Sequence, residues 1–172
     1  MAQMTEAQIT EAAKKFLNGA TIKELKGLSN QEMEAVYSLA FNFYRTGKFD
    51  EAEKLFNFLA LFDHLNQKFW MGVGAVRQVK KDFPGAVQAY GYASFLKLSN
   101  PKPQFHAAEC FLAMGDKRNA ASALEALDRF CPKDTDQGRE YRAKAAELRK
   151  MVGEEAFEAL AKEDEEKSAK KA

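Results

Sequence analysis

Apolar positions along this chain follow helical spacing as far as about residue 160, and the chain up to there reads as all α-helix. In the first 32 residues, Thr5 with Gln8 forms a capping box ahead of an apolar stripe of Ile9, Ala12, Ala13 and Phe16, which Asn18-Gly19 ends. Thr21 with Glu24 predicts a second, short helix carrying Ile22, Leu25 and Leu28, and Ser29 with Glu32 opens a third. From Met33 to Asp134 a longer order appears. Ala52, Ala86 and Ala120 stand 34 residues apart, and so do Phe56, Tyr90 and Leu124. Ala40, Gly74 and Ala108 keep the same register, as do Phe43, Arg77 and Phe111, a row broken at its middle member.

A unit of that length holds two antiparallel helices, neither of which buries its apolar face alone, so neighbours must stack. The spacing matches the tetratricopeptide repeat, with Trp70 and Pro132 at its first and last marked positions. The small residues then have a mechanical reason: they stand where helix presses on helix, and a larger side chain would overpack the contact by ~1–3 kcal/mol. The expected fold is all-α, a tetratricopeptide-repeat solenoid of three repeats (33–66, 67–100 and 101–134) with N-terminal capping helices over 1–32. A C-terminal solvating helix is expected over 135–160, on Tyr141, Ala145, Leu148 and Val152, then a charged, disordered tail over 161–172. Residues 1–32 allow two readings, a cap on the first repeat or a detachable arm used in self-association. The prolines at 84, 101, 103 and 132 fall at repeat turns or boundaries. Repeat two is the least regular, since Arg77 and Lys81 replace the usual aromatic and turn glycine.

In repeat one, Val36, Leu39, Ala40 and Phe43 account for internal packing and leave Tyr37, Phe41 and Tyr44 as a surplus stripe at i, i+4 and i+7. First helices of such a solenoid line its concave side, so this stripe is expected in a groove. The matching positions are Met71, Ala75 and Gln78 in repeat two and Phe105, Glu109 and Leu112 in repeat three. Exposed aromatics in a concavity mark an interaction patch, and small apolar floors beside them suit an extended or polyproline-like peptide. The main rival is a groove that clamps a C-terminal carboxylate. Its sites hold Tyr37, Phe41, Gly72, Lys102 and His106 here, too few converging donors for a carboxylate.

Charge changes little. Lysine and arginine number 26 against 25 acidic residues, which gives no electrostatic case for nucleic acid or an acidic membrane surface. The absence of an 18-residue apolar run, and an N-terminus without basic-then-apolar order, predict a cytosolic protein. Cys110 and Cys131 lack metal-ligand spacing and read as packing residues. His64 and His106, with Asp63, Glu109 and Cys110 nearby in sequence, form no nucleophile motif or phosphate loop, so neither enzyme activity nor a cofactor is expected.

Four segments carry a narrower likeness. They are Gly19 to Leu25 (GATIKEL), Ala40 to Ala52 (AFNFYRTGKFDEA), Met71 to Gln78 (MGVGAVRQ) and Ala107 to Leu112 (AAECFL). Over about residues 16–152 the chain resembles the class II chaperones of bacterial type III secretion systems, the LcrH/SycD-like translocator chaperones. The resemblance implies a non-catalytic protein that lays an extended N-terminal stretch of a hydrophobic translocator in its groove. It carries over Tyr37, Phe41, Tyr44, Met71, Ala75, Gln78, Phe105 and Leu112 as contacts. It also implies a homodimer formed through the N-terminal helices, with Ile9 and Phe16 available for that contact. A generic tetratricopeptide adaptor for complex assembly is the alternative.

Overall fold

The computed structural model describes residues 5–169, which form ten helices and, among the described residues, no strand. In chain order these are α1 (Glu6–Leu17), α2 (Ile22–Lys26), α3 (Asn30–Arg45), α4 (Phe49–Phe62), α5 (Gln67–Val79), α6 (Phe83–Leu96), α7 (Pro101–Ala113), α8 (Lys117–Phe130), α9 (Asp136–Val152) and α10 (Glu154–Ala169). They fall into two compact units, Met1–Val76 and Arg77–Ala172, whose boundary lies inside α5.

Local chemistry sets the helix ends. Thr21 and Ser29 each make a complete capping box: the hydroxyl accepts from the backbone N–H three residues on, while Glu24 or Glu32 accepts from the cap's own N–H. In the N-terminal unit, Lys23 Nζ donates to Asp63 Oδ2 at 2.9 Å, and Asp63 is buried at the end of α4, so α2 is pinned to the first repeat. The side chains of Ile9, Ala12 and Phe16, assigned to an apolar stripe by spacing, lie outside the described residues.

The 34-residue register is visible in three dimensions. Ala40, Gly74 and Ala108 are buried, as are Ala52, Ala86 and Ala120, and Phe56, Tyr90 and Leu124 fill the cores of their own units. The turns repeat as well. Gly47 (φ 78°) and Gly115 (φ 77°) end the first helices of repeats one and three in the left-handed region, and Lys81 (φ 64°) takes that conformation between them. Asp82 and Asp116 cap α6 and α8 by accepting from Gly85 N and Asn119 N, whereas Lys48, at the same register before α4, offers no side-chain cap. Arg77, the break in its row, turns its guanidinium onto Gly85 O at 3.2 Å.

Three expectations change. Leu39, expected to pack internally, is 47% exposed; its register partners Val73 and Ala107 are buried, and the first repeat has no preceding repeat to cover that position. The single helix expected over 135–160 is two helices, because Gly153 (φ 85°) breaks the chain between α9 and α10. The tail expected to be disordered from 161 is helical through Ala169 among the described residues. Leu160 is buried in the α7–α9 core, Ala156 and Phe157 pack beside it, and Arg118 Nε donates to Glu163 Oε1 at 3.0 Å.

Candidate peptide-binding site

In the N-terminal unit the expected stripe is a continuous row of rings on α3. Tyr37 and Phe41 lie 6.3 Å apart with planes 7° from parallel, and Phe41 and Tyr44 follow at 6.5 Å and 20°. Phe41 is 45% exposed, while Tyr37 and Tyr44 are half-buried. The row is held from beneath and at both ends. Tyr37 meets the buried rings of Phe56 (5.7 Å, edge-on) and Phe69 (6.0 Å), and Tyr44 meets Phe49 edge-on at 5.8 Å. Lys68 Nζ sits 3.7 Å from the Tyr37 ring centroid and pairs with Glu34 Oε2 at 2.6 Å. Burial pushes the Tyr37 phenol above its ordinary value, with Lys68 pulling the other way, so it stays neutral at physiological pH. Met71 and Ala75, on α5, are partly exposed.

Gly72 explains how Phe56 reaches that position. A Cβ on Gly72 would stand 2.4 Å from Phe56 Cδ1, so the Phe56 ring occupies the volume a side chain at 72 needs. The carboxylate-clamp reading requires a polar side chain at this site, and the core has taken its place.

In the C-terminal unit the register residues are joined by polar contacts. Tyr90 OH donates to Gln78 Oε1 (2.7 Å), Gln78 Nε2 donates to Glu109 Oε2 (3.2 Å), and His106 Nδ1 lies 2.8 Å from the same oxygen. Burial opposes ionisation of Glu109, yet the bonds from His106 and Gln78 outweigh it and leave its pKa below the ordinary carboxylate value. Leu112 is partly exposed. Phe105 departs from the expected groove exposure: it is 7% exposed, edge-on to Tyr141 of α9 at 5.3 Å, and belongs to the core closed by the last helices.

The polar network around His106 was not legible in sequence. His106 is also stacked on Tyr90 at 5.5 Å, so the histidine weighed for chemistry is a packed, hydrogen-bonded side chain. Cys110 beside it is fully buried, and burial together with the Glu109 charge pushes its thiol up to about 12, far from a thiolate nucleophile. Asp63, the other acid weighed, is paired with Lys23.

Comparison with known proteins agrees with this architecture. The tetratricopeptide repeat family profile matches residues 33–66 and 68–100. The chain is similar to the low calcium response locus protein H of Yersinia pestis, 40% identical over 114 residues, which is 66% of this chain and 68% of that protein. It is similar in structure to the type III secretion translocator chaperone SycD of Yersinia enterocolitica (TM-score 0.66, 34% identity, 78% of this chain and 97% of that one). It is likewise similar to PcrH of Pseudomonas aeruginosa (TM-score 0.67, 33% identity, 73% and 94%). SycD has been solved with a peptide of the translocator YopD and in an alternative dimer, and PcrH with the chaperone-binding regions of PopD and PopB. With its repeats, its capped N-terminal helices and these relatives together, the chain belongs to the class II type III secretion translocator chaperones, a family of tetratricopeptide repeat proteins.

Proposed function

We propose that this protein is a bacterial cytoplasmic chaperone that holds an extended N-terminal segment of a hydrophobic type III secretion translocator before secretion. The observation that carries the reading is the Tyr37–Phe41–Tyr44 row: three stacked rings, braced from below by buried aromatics, with the middle ring nearly half exposed. A row already supported by its own core gains nothing more from folding and is preorganised to take another chain's apolar side chains. Met71 and Ala75 extend the contact set in the N-terminal unit, and Gln78, Glu109 and Leu112 supply it in the C-terminal unit. Phe105 then acts from behind, as a support for this surface. The peptide-bound relatives support a client of this kind, because PcrH and SycD bind translocator segments on a similar fold. Self-association through the N-terminal helices fits the reading, and the relative SycD has been solved as a dimer.

Each apolar anchor buried by the client contributes ~1.5–3 kcal/mol before association costs, so the loss of one is measurable and the loss of several is fatal to binding. The test is co-expression with a candidate translocator that is insoluble alone. Wild type should bring it into the soluble fraction, and Phe41→Asp should fail to do so while keeping wild-type helicity and melting temperature. If Phe41→Asp melts the fold as badly as Ala86→Trp, which drives an indole into a fully buried site, the rings belong to the core and the proposal is wrong. A partner that is soluble and folded by itself would point to an assembly adaptor instead.

A further inference from the structure

On α7, packing leaves a narrow strip open. From Pro101 to Cys110 only Lys102, His106 and Glu109 keep part of their surface, and at about 100° per residue the three fall within an arc of about 60°. Glu109 stands two repeats on from Phe41, the most exposed ring of the row on α3. Where repeat one offers a ring, repeat three offers a carboxylate.

That carboxylate is engaged through one oxygen. Oε2 accepts from Gln78 Nε2 at 3.2 Å and lies 2.8 Å from His106 Nδ1, and Gln78 is itself held by Tyr90 OH at 2.7 Å. Oε1 takes no bond among the described residues, yet it is not a buried orphan: the side chain is 33% exposed and this oxygen keeps open surface. The group is thus fixed in place by one oxygen and presents the other. Lys144 of α9 acts on Glu109 through space, but its ammonium is committed to Glu140 Oε1 at 2.5 Å and to the Tyr141 ring. The charge of Glu109 is therefore partly offset already, and a second cation brought beside it would meet like charge.

A peptide laid over Glu109 strips water from an ionised oxygen, and it must bring a donor in exchange or strand the charge. An extended segment carries such donors at every residue but proline, because its backbone N–H groups make no bonds within the chain. We propose that Glu109 fixes the register of the client: its Oε1 accepts one backbone N–H of the extended segment, which demands a residue other than proline at that place. The assignment rests on the translocator-client reading above and adds to it the residue that reads the client's main chain.

The test is fluorescence anisotropy of the full chain with a labelled synthetic peptide, the stretch of the co-expressed translocator that wild type shields from proteolysis. Each backbone amide N–H of the peptide is deleted in turn by an ester, and in a parallel set each polar side chain is cut to alanine. One ester position should bind wild type about tenfold more weakly than the parent, the equivalent of one lost hydrogen bond, and proline at that residue should bind no better. Glu109→Ala should bind the parent about tenfold more weakly and lose the ester penalty. Glu109→Gln keeps the shape without the charge; it should shrink the penalty, and it serves if the alanine variant misfolds. Esters that all bind alike, or a penalty that persists in both variants, would overturn the Glu109 contact and leave the client reading intact. A Glu109-dependent penalty that follows a client side chain instead would overturn main-chain recognition. Failure of wild type to bind the parent peptide would remove the client reading, and this assignment with it.

Discussion

Gly72→Ala is the smallest change that should propagate from the core to the ring row. The added methyl would stand 2.4 Å from Phe56 Cδ1, 2.5 Å from Cε1 and 2.9 Å from Cγ, all well inside contact distance. The whole ring must move, not the tip of a flexible chain, and at 2% exposure it has little space to enter. Overpacking of this kind costs ~1–3 kcal/mol, and the alanine recovers up to ~1 kcal/mol in helix propensity, so the expected net loss is about 1–2 kcal/mol. Gly91→Ala on α6 is the matched control. A Cβ there meets nothing within 4 Å, and the same propensity gain should appear as a stabilisation of about 0.5–1 kcal/mol. Urea unfolding of the two variants should therefore place them on opposite sides of wild type and roughly 1.5–3 kcal/mol apart, or several degrees in melting temperature at ~2–4 °C per kcal/mol. Because Phe56 supports Tyr37 edge-on, Gly72→Ala should also weaken capture of a translocator peptide in proportion to the ring displacement. If Gly72→Ala is as stable as Gly91→Ala, Phe56 is not locked in place and the support assigned to the row does not exist.

Lys81 holds a left-handed φ of 64° where the neighbouring repeats use glycine. Relief of ~1–2 kcal/mol of backbone strain, less ~0.4–1 kcal/mol for the extra freedom of the unfolded chain, should make Lys81→Gly about 0.5–1 kcal/mol more stable in the same urea assay. A destabilised variant would contradict that geometry. Asp116→Ala should cost about 1 kcal/mol at neutral pH through loss of the α8 cap. Bonds from the Asn119 backbone and side chain hold the Asp116 carboxyl below its ordinary value of 3.8, so the cap's electrostatic contribution is complete above that value and is lost as pH falls through the lowered one. Wild type and Asp116→Ala should accordingly converge in stability well below pH 3.8, and a difference that persists there would assign the effect to packing.

Much of the fold was legible because its signals are local or periodic. Thr21 and Ser29 announce their helices through residues three positions away, and the rows through Ala52 and Phe56 recur often enough to identify the packing face. The unread features depend on contacts that no spacing encodes. Phe105 shares register with the half-buried Tyr37 and the partly exposed Met71, yet Tyr141, in a segment outside the repeats, closes over it. Leu39 keeps an internal-packing identity at the one repeat that lacks a predecessor. The last helix continues to Ala169 because Leu160 finds the C-terminal core and Glu163 finds Arg118; a count of apolar residues misses both. For the ring row, sequence supplied the residues, while the stacking and the bracing by Phe56 and Phe69 emerged only in three dimensions.

The Lys23–Asp63 pair fixes where the N-terminal arm could come loose. Both side chains are largely withdrawn from water, and separating them would strand a charge in the interior, a change costing ~3–5 kcal/mol. Ahead of α2 the chain passes through Gly19 at φ 89°, where the turn is held by backbone bonds back to Lys14 and Lys15. Exchange of an arm between two molecules would therefore pivot at residues 18–20. The first helix would travel and the second would remain with its own protomer, so a dimer of this kind trades twelve helical residues and leaves each repeat domain intact.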